Sequence, residues 1–184
     1  RKEGVRGSLM FLTVLGISIP NYVLALLLML VCGVTLKWFP VVGLGSWKHY
    51  ILPVTAMTVY PLAQISKLVK RSYSEAMHQD YVIMAKAKGI SKTRISFVHI
   101  LKNAMIPVIT ISGPMVAFLL TGSFVVENIF TIPGIGREFV NSVSNRDYTV
   151  IMGLTIFLGI ILVLCNLISD MICALVDPRI KLEK

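Results

Sequence analysis

Four stretches of this chain carry no Asp, Glu, Lys or Arg: residues 8–36, 49–66, 103–126 and 148–169. Each is close to, or longer than, the roughly 20 apolar residues that a helix needs to cross a hydrocarbon core about 30 Å thick. Each is too long for a buried strand, and backbone groups in lipid are satisfied within their own segment, so all four read as helices. Of the 184 residues, 55% are hydrophobic and 15% charged, whereas a soluble domain carries roughly 25% charged residues to cover its surface. The sequence therefore predicts an all-α polytopic membrane bundle with four visible transmembrane helices. Pro20, Pro61, Pro107 and Pro114 fall in or near these stretches and are expected to kink them, with neighbouring helices accommodating the kinks.

The net charge is +9, but the cations lie between apolar runs, which points to lipid headgroups and topology rather than nucleic acid. Fourteen fall on one side of the proposed membrane: Arg1, Lys2 and Arg6, eight between positions 67 and 102, then Arg179, Lys181 and Lys184. Four fall on the other: Lys37, Lys48, Arg137 and Arg146. The positive-inside rule places both ends of the chain and the 67–102 loop in the cytoplasm. Trp38, Trp47 and Tyr50 flank the short outer loop as an aromatic belt would. Cys32, Cys165 and Cys173 lie in apolar stretches without metal-like spacing and read as small apolar side chains. His49, His78 and His99 are scattered, so no metal site is expected. The first apolar run is too long for a signal peptide and lacks a small-residue cleavage site. The chain begins at Arg1 rather than Met, so a missing natural N-terminus is expected.

The loop SYSEAMHQDYVIMAKAKGISKTRISFVHILKNAMIP is patterned too regularly for a linker. Residues 81–88 are good helix formers, with Tyr81, Met84, Ala85 and the stem of Lys88 near one face. Gly89 follows as a C′ cap, where positive φ costs glycine little. Ser91 is the expected N-cap of a second helix running through Ile95, Val98 and His99 into the third span. An amphipathic surface segment held on lipid by lysines and a docking site for a partner both fit this pattern.

DYVIMAKAKGIS followed by HILKNAMIPVIT resembles the EAA loop of ABC importer permeases, in the form typical of the dipeptide/oligopeptide (and nickel) branch. GSFVVENIFTIPGIGREFVNSVSNRDYTVIMG at 122–153, DMICALVDPRIK near the end, and SIPNYVLALLL, FPVVG and ILPVTAM nearer the start resemble the same branch in order. The resemblance covers nearly the whole chain, 1–184, as an N-terminally truncated transmembrane domain with the coupling loop at 72–102. It implies that the loop forms a coupling helix seated in a cytoplasmic ATPase subunit. Asp80, Tyr81, Ala85, Lys86, Ala87, Lys88 and Gly89 hold or lie within the matched positions. Two departures narrow the branch. Ile83-Met84-Ala85 stands where the general motif has Glu-Ala-Ala, and His99-Ile100-Leu101-Lys102 where it has Ile-x-Leu-Pro. Members usually carry two further N-terminal spans with an outer domain between them, so this chain resembles the C-terminal part of a six-span permease. The resemblance further implies a prokaryotic inner or plasma membrane, a homologous second permease subunit, two ATPase subunits, an extracytoplasmic substrate-binding protein and a peptide substrate.

Glu127 is the acid near the outer end of the third span, where an ionisable group is a functional hypothesis by default. Asn128, Pro133, Gly134 and Gly136 mark a turn-rich return, which favours a carboxylate that fixes the outer turn over a substrate contact. Asn103, Thr110, Pro114, Ala117 and Thr121 recur at helical spacing. Close packing through small residues is the favoured reading, and a pathway lining the alternative. Asp177-Pro178-Arg179 reads as a helix stop with a local ion pair. No catalytic constellation and no G-x-x-x-x-G-K-[ST] loop is present, so no cofactor is expected on the chain itself and ATP would be hydrolysed by partner subunits. A nickel or nickel-chelate importer is the alternative within the class. An ion-coupled secondary transporter would need intramembrane charges that the four stretches lack, and a non-transporting scaffold leaves the loop unexplained.

Overall fold

The computed structural model describes residues 2–176, and every regular element among them is helical. Asp177, Pro178 and Arg179, the cations at 181 and 184, and Arg1 lie outside the described residues. The first apolar stretch is two helices: α1, Lys2–Ser18, and α2, Asn21–Leu28, which continues as π-helix over Met29–Thr35. Met10–Ser18 and Asn21–Thr35 meet at 102°, at Pro20, which has no N–H to bond back into α1 and so favours a break there. The second stretch lies in α3, Lys48–Met77, which stays helical through Pro53 and Pro61. It also runs past Ser66, so the first residues of the 72–102 loop are helix. Arg71 Nε donates to Glu75 Oε1 at 2.8 Å one turn along this extension, and Ser72 and Ala76 are buried on its other side.

The loop itself is α4, Asp80–Ala87, and α5, Lys92–Arg94, which passes through π-helix at Ile95–Ile100 into α6, Leu101–Thr121. Two short helices follow, α7, Phe124–Ile129, and α8, Ile135–Ser144, then α9, Tyr148–Val176. By length and apolarity Lys92–Ile129 and Tyr148–Val176 can cross a membrane, and the pair bent by 102° counts as a third if its two halves form one broken span rather than a re-entrant loop. At 30 residues α3 is about 45 Å long, enough to cross. His49, Tyr60 and Gln64 make it less apolar, so at membrane depth it needs protein or water along one side. By contrast, α9 is apolar all round and its most apolar window is unburied, the property of a helix that faces lipid or another subunit.

The chain divides into two compact units. In the first, residues up to Gln64 together with Ala117–Ile161, α7 packs Val126 and Phe130 onto Ala25 of α2 and Leu52 and Ala56 of α3. A Cβ on Gly16 would lie 3.0 Å from Ala63 Cβ, so α1 meets α3 at that glycine. The second unit is Ile65–Val116 with the residues from Leu162 on. Its core joins Ala76 of α3, Val82 and Ala85 of α4, Ile95 and Ile100 of the π-helical turn, and Ala104 of α6.

Candidate functional site

Asp80 opens α4, in the first turn where an acid complements the helix dipole. The helix closes on a complete Schellman motif: Gly89 N–H donates to Lys86 O at 3.0 Å and Ile90 N–H to Ala85 O at 3.2 Å. Gly89 has φ +70°, as this C′ position requires. Ile90 is thereby folded back onto the cluster that contains Ala85, the apolar contact that commonly accompanies such a cap. It fixes which face is inner. Val82 and Ala85 are buried, whereas Met84 is 61% and Ile83 60% exposed. The expectation that Met84 shares the face of Ala85 is corrected here: Val82 and Ala85 turn inward, and Met84 joins Ile83, Lys86, Ala87 and Lys88 outside. Ser91 occupies the N-cap of α5, but its side chain makes no capping bond; only its carbonyl is used, by Ile95 N–H at 3.0 Å. Tyr73 and Ser96 hydroxyls lie 2.5 Å apart, tying the end of α3 to the π-helical turn. The Tyr81 hydroxyl is buried without a partner among the described residues.

In the other unit, Glu127 is 7% exposed, and its Oε2 accepts the Arg137 backbone N–H at 2.7 Å. Arg137 is the third residue of α8, so the carboxylate caps a helix that its own N-cap residue, Gly134, cannot cap with a side chain. Glycine makes the room. A Cβ on Gly122 or Gly134 would overlap the Glu127 carboxylate, and one on Gly136 would come within 2.7 Å of Phe124 N and 3.2 Å of Glu127 Oε2. Gly122 also has φ +76°. The Glu127 carbonyl accepts Ile132 N–H at 2.8 Å, closing α7 just before Pro133.

The five positions of the α6 stripe do not share one environment. Ala117 is buried, while Asn103, Thr110 and Pro114 are classed as exposed and Thr121 as half-buried. Thr110 Oγ1 bonds Ile106 O at 3.1 Å and lies 3.5 Å from Cys173 Sγ. Thr121 Oγ1 donates to Phe118 O at 2.9 Å. The Ser169 hydroxyl of α9 donates to the Ile109 carbonyl.

Residues 1–182 match the family described as binding-protein-dependent transport system inner membrane component. The chain belongs to this family. It is 50% identical over 175 residues to DppB, the dipeptide transport system permease protein of Bacillus subtilis, covering 95% of this chain and 57% of the relative. The Lactococcus lactis DppB is 42% identical over 183 residues, with 99% and 60% covered. OppB, the oligopeptide transport system permease protein of Haemophilus influenzae, is 39% identical over 175 residues, with 94% and 57% covered. The chain thus spans 57–60% of the length of these relatives.

In this inner membrane component, sequence reasoning passed over a close approach of α6 to α9. A Cβ on Gly113 would lie 2.9 Å from Ser169 Cβ and 3.0 Å from Cys165 O. The glycine lies between Thr110 and Ala117 at helical spacing, a signal that was available. Thr131 and Arg146, in the left-handed region at φ +55° and +56°, carry none, because neither residue type favours a C′ position.

Proposed function

We propose that the chain is the membrane-spanning permease subunit of an ATP-driven importer for di- or oligopeptides, and that α4 seats in a cytoplasmic ATPase subunit. A homologous permease subunit completes the substrate path, with two ATPase subunits below and an extracytoplasmic substrate-binding protein above. The observation that carries this reading is the outer face of α4. Val82 and Ala85 already fill the inner face, so exposed Ile83 and Met84 await a second surface. Because the Schellman turn locks α4, and Tyr73 and Ser96 join α3 to the π-helical turn, a push on α4 reaches the start of α6. The peptide substrate is supported by the relatives, which are permeases of dipeptide and oligopeptide transport systems. The permease supplies two conformations, open to opposite sides, and nucleotide on the partner subunits biases between them.

The test is Ile83→Asp in the assembled transporter. The substituted permease is expected to remain in the membrane, lose its ATPase subunits on purification and lose ATP-dependent dipeptide uptake. Retention of both at wild-type level would remove α4 from the coupling path and leave it an interfacial helix.

A further inference from the structure

Between α4 and the first turns of α6 lies a cavity of ≈ 800 Å³. Gln79, Tyr81, His99, Lys102 and Asn103 form its polar wall. Ile106, Pro107 and Val176 contribute apolar surface. Tyr81 lines the cavity, while its hydroxyl is closed off from it and unpaired among the described residues. Glu75 also lines the cavity, but its Oε1 is held by Arg71 Nε at 2.8 Å. Lys102 forms no ion pair among the described residues, so the wall offers an unmatched ammonium next to further hydrogen-bonding groups. Chain order sorts the α6 wall: Lys102 and Asn103 stand at its start, and Ile106 and Pro107 lie further along the charge-free stretch. A soluble anion would use the polar wall alone. A phospholipid uses both, with its phosphate among the donors and the first part of an acyl chain along Ile106 and Pro107.

We propose that this cavity binds an anionic phospholipid, its phosphodiester on Lys102 Nζ beside Asn103. The cations between positions 67 and 102 already suit this surface to an acidic leaflet. The cavity adds a defined place for one headgroup, against the helix proposed to dock the ATPase. Lys92, exposed on α5 and outside the cavity, contributes only general attraction.

The test uses the assembled transporter in phosphatidylcholine vesicles doped with a photoactivatable phosphatidylglycerol, with cross-linked peptides mapped by mass spectrometry. Cross-links are expected on the peptides that carry Tyr81 and Lys102. Lys102→Gln lowers their yield by more than the roughly fivefold loss that removing one cation from a membrane surface brings, while Lys92→Gln lowers it by no more than that. Excess inorganic phosphate at constant ionic strength does not displace the probe. Equal labelling by a photoactivatable phosphatidylcholine, or equal loss in both lysine variants, would reduce the cavity to general charge attraction and overturn the site. Displacement by inorganic phosphate would assign it to a soluble anion and overturn the lipid. These readouts need no transport, so their failure is distinct from failure of the importer reading.

Discussion

Gly89 and Gly134 both sit in turns, yet they restrict substitution for different reasons. Gly89 has φ +70° and nothing within 4 Å of the position a Cβ would take, so a side chain there meets backbone strain and open space. Gly134 has φ −108°, ordinary for any residue, but a Cβ would overlap the Glu127 carboxylate. For Gly89 this separates two effects. Gly89→Ala and Gly89→Leu carry the same left-handed penalty, about 1–2 kcal/mol, too little to unfold the packed helices. A difference between them must come from size, and the position of a Cβ itself is open. If a partner's cleft closes over the turn, Gly89→Leu is expected to lose the ATPase subunits and substrate-stimulated ATP hydrolysis, while Gly89→Ala keeps most of both. Equal behaviour of the two variants in co-purification and ATPase assays would leave only the backbone effect. The position of Gly89 was legible because a glycine after a helix-forming run is a local signal. The inward side of α4 was not, because it depends on Ile90 returning over Ala85 and on residues from α3 and α6.

At the scale of elements, the outer turn is held by one carboxylate that serves two helices. Glu127 belongs to α7 and caps α8, so its environment couples positions that are separate in sequence. Gly134→Ala is expected to destabilise by about 1–3 kcal/mol through overpacking, read as a lower melting temperature of the solubilised transporter. Glu127→Ala should lose a similar amount, because the part-buried Arg137 N–H is left without its acceptor. In the double variant the new methyl occupies space the carboxylate has vacated, so the combined loss should be smaller than the sum. Additive losses would show that Gly134 is not kept small by Glu127. The turn was legible from its Pro and Gly content. Glu127 as the cap of α8 needed the three-dimensional return of the chain. The π-helical turns at Met29–Thr35 and Ile95–Ile100 were not legible either, since their apolar residues suit an α-helix equally well.

At the scale of the whole molecule, the four charge-free stretches made the helical membrane architecture legible, because the bilayer fixes both the length and the apolarity of a span. What they hid is the break at Pro20 and the weaker apolarity of α3, since a charge-free stretch can still bend or keep a polar side. Orientation rests on a different signal, the division of cations into fourteen and four. It predicts that the residues before α3 and the residues after α4 lie on opposite sides of the membrane. Ser46 and Ser91 report on those two places: both are exposed, and Ser91 makes no capping bond with its side chain. Ser46 Oγ lies 3.0 Å from His49 Nδ1 within its own exposed turn, so neither substitution disturbs a core. With Cys32, Cys165 and Cys173 replaced by alanine, Ser46→Cys is expected to react with an impermeant maleimide added to intact cells. Ser91→Cys should react only after the membrane is permeabilised and the ATPase subunits are stripped. Labelling of Ser91→Cys in intact cells, with Ser46→Cys protected, would invert the topology. It would put α4 on the face away from ATP, where no ATPase subunit could reach it.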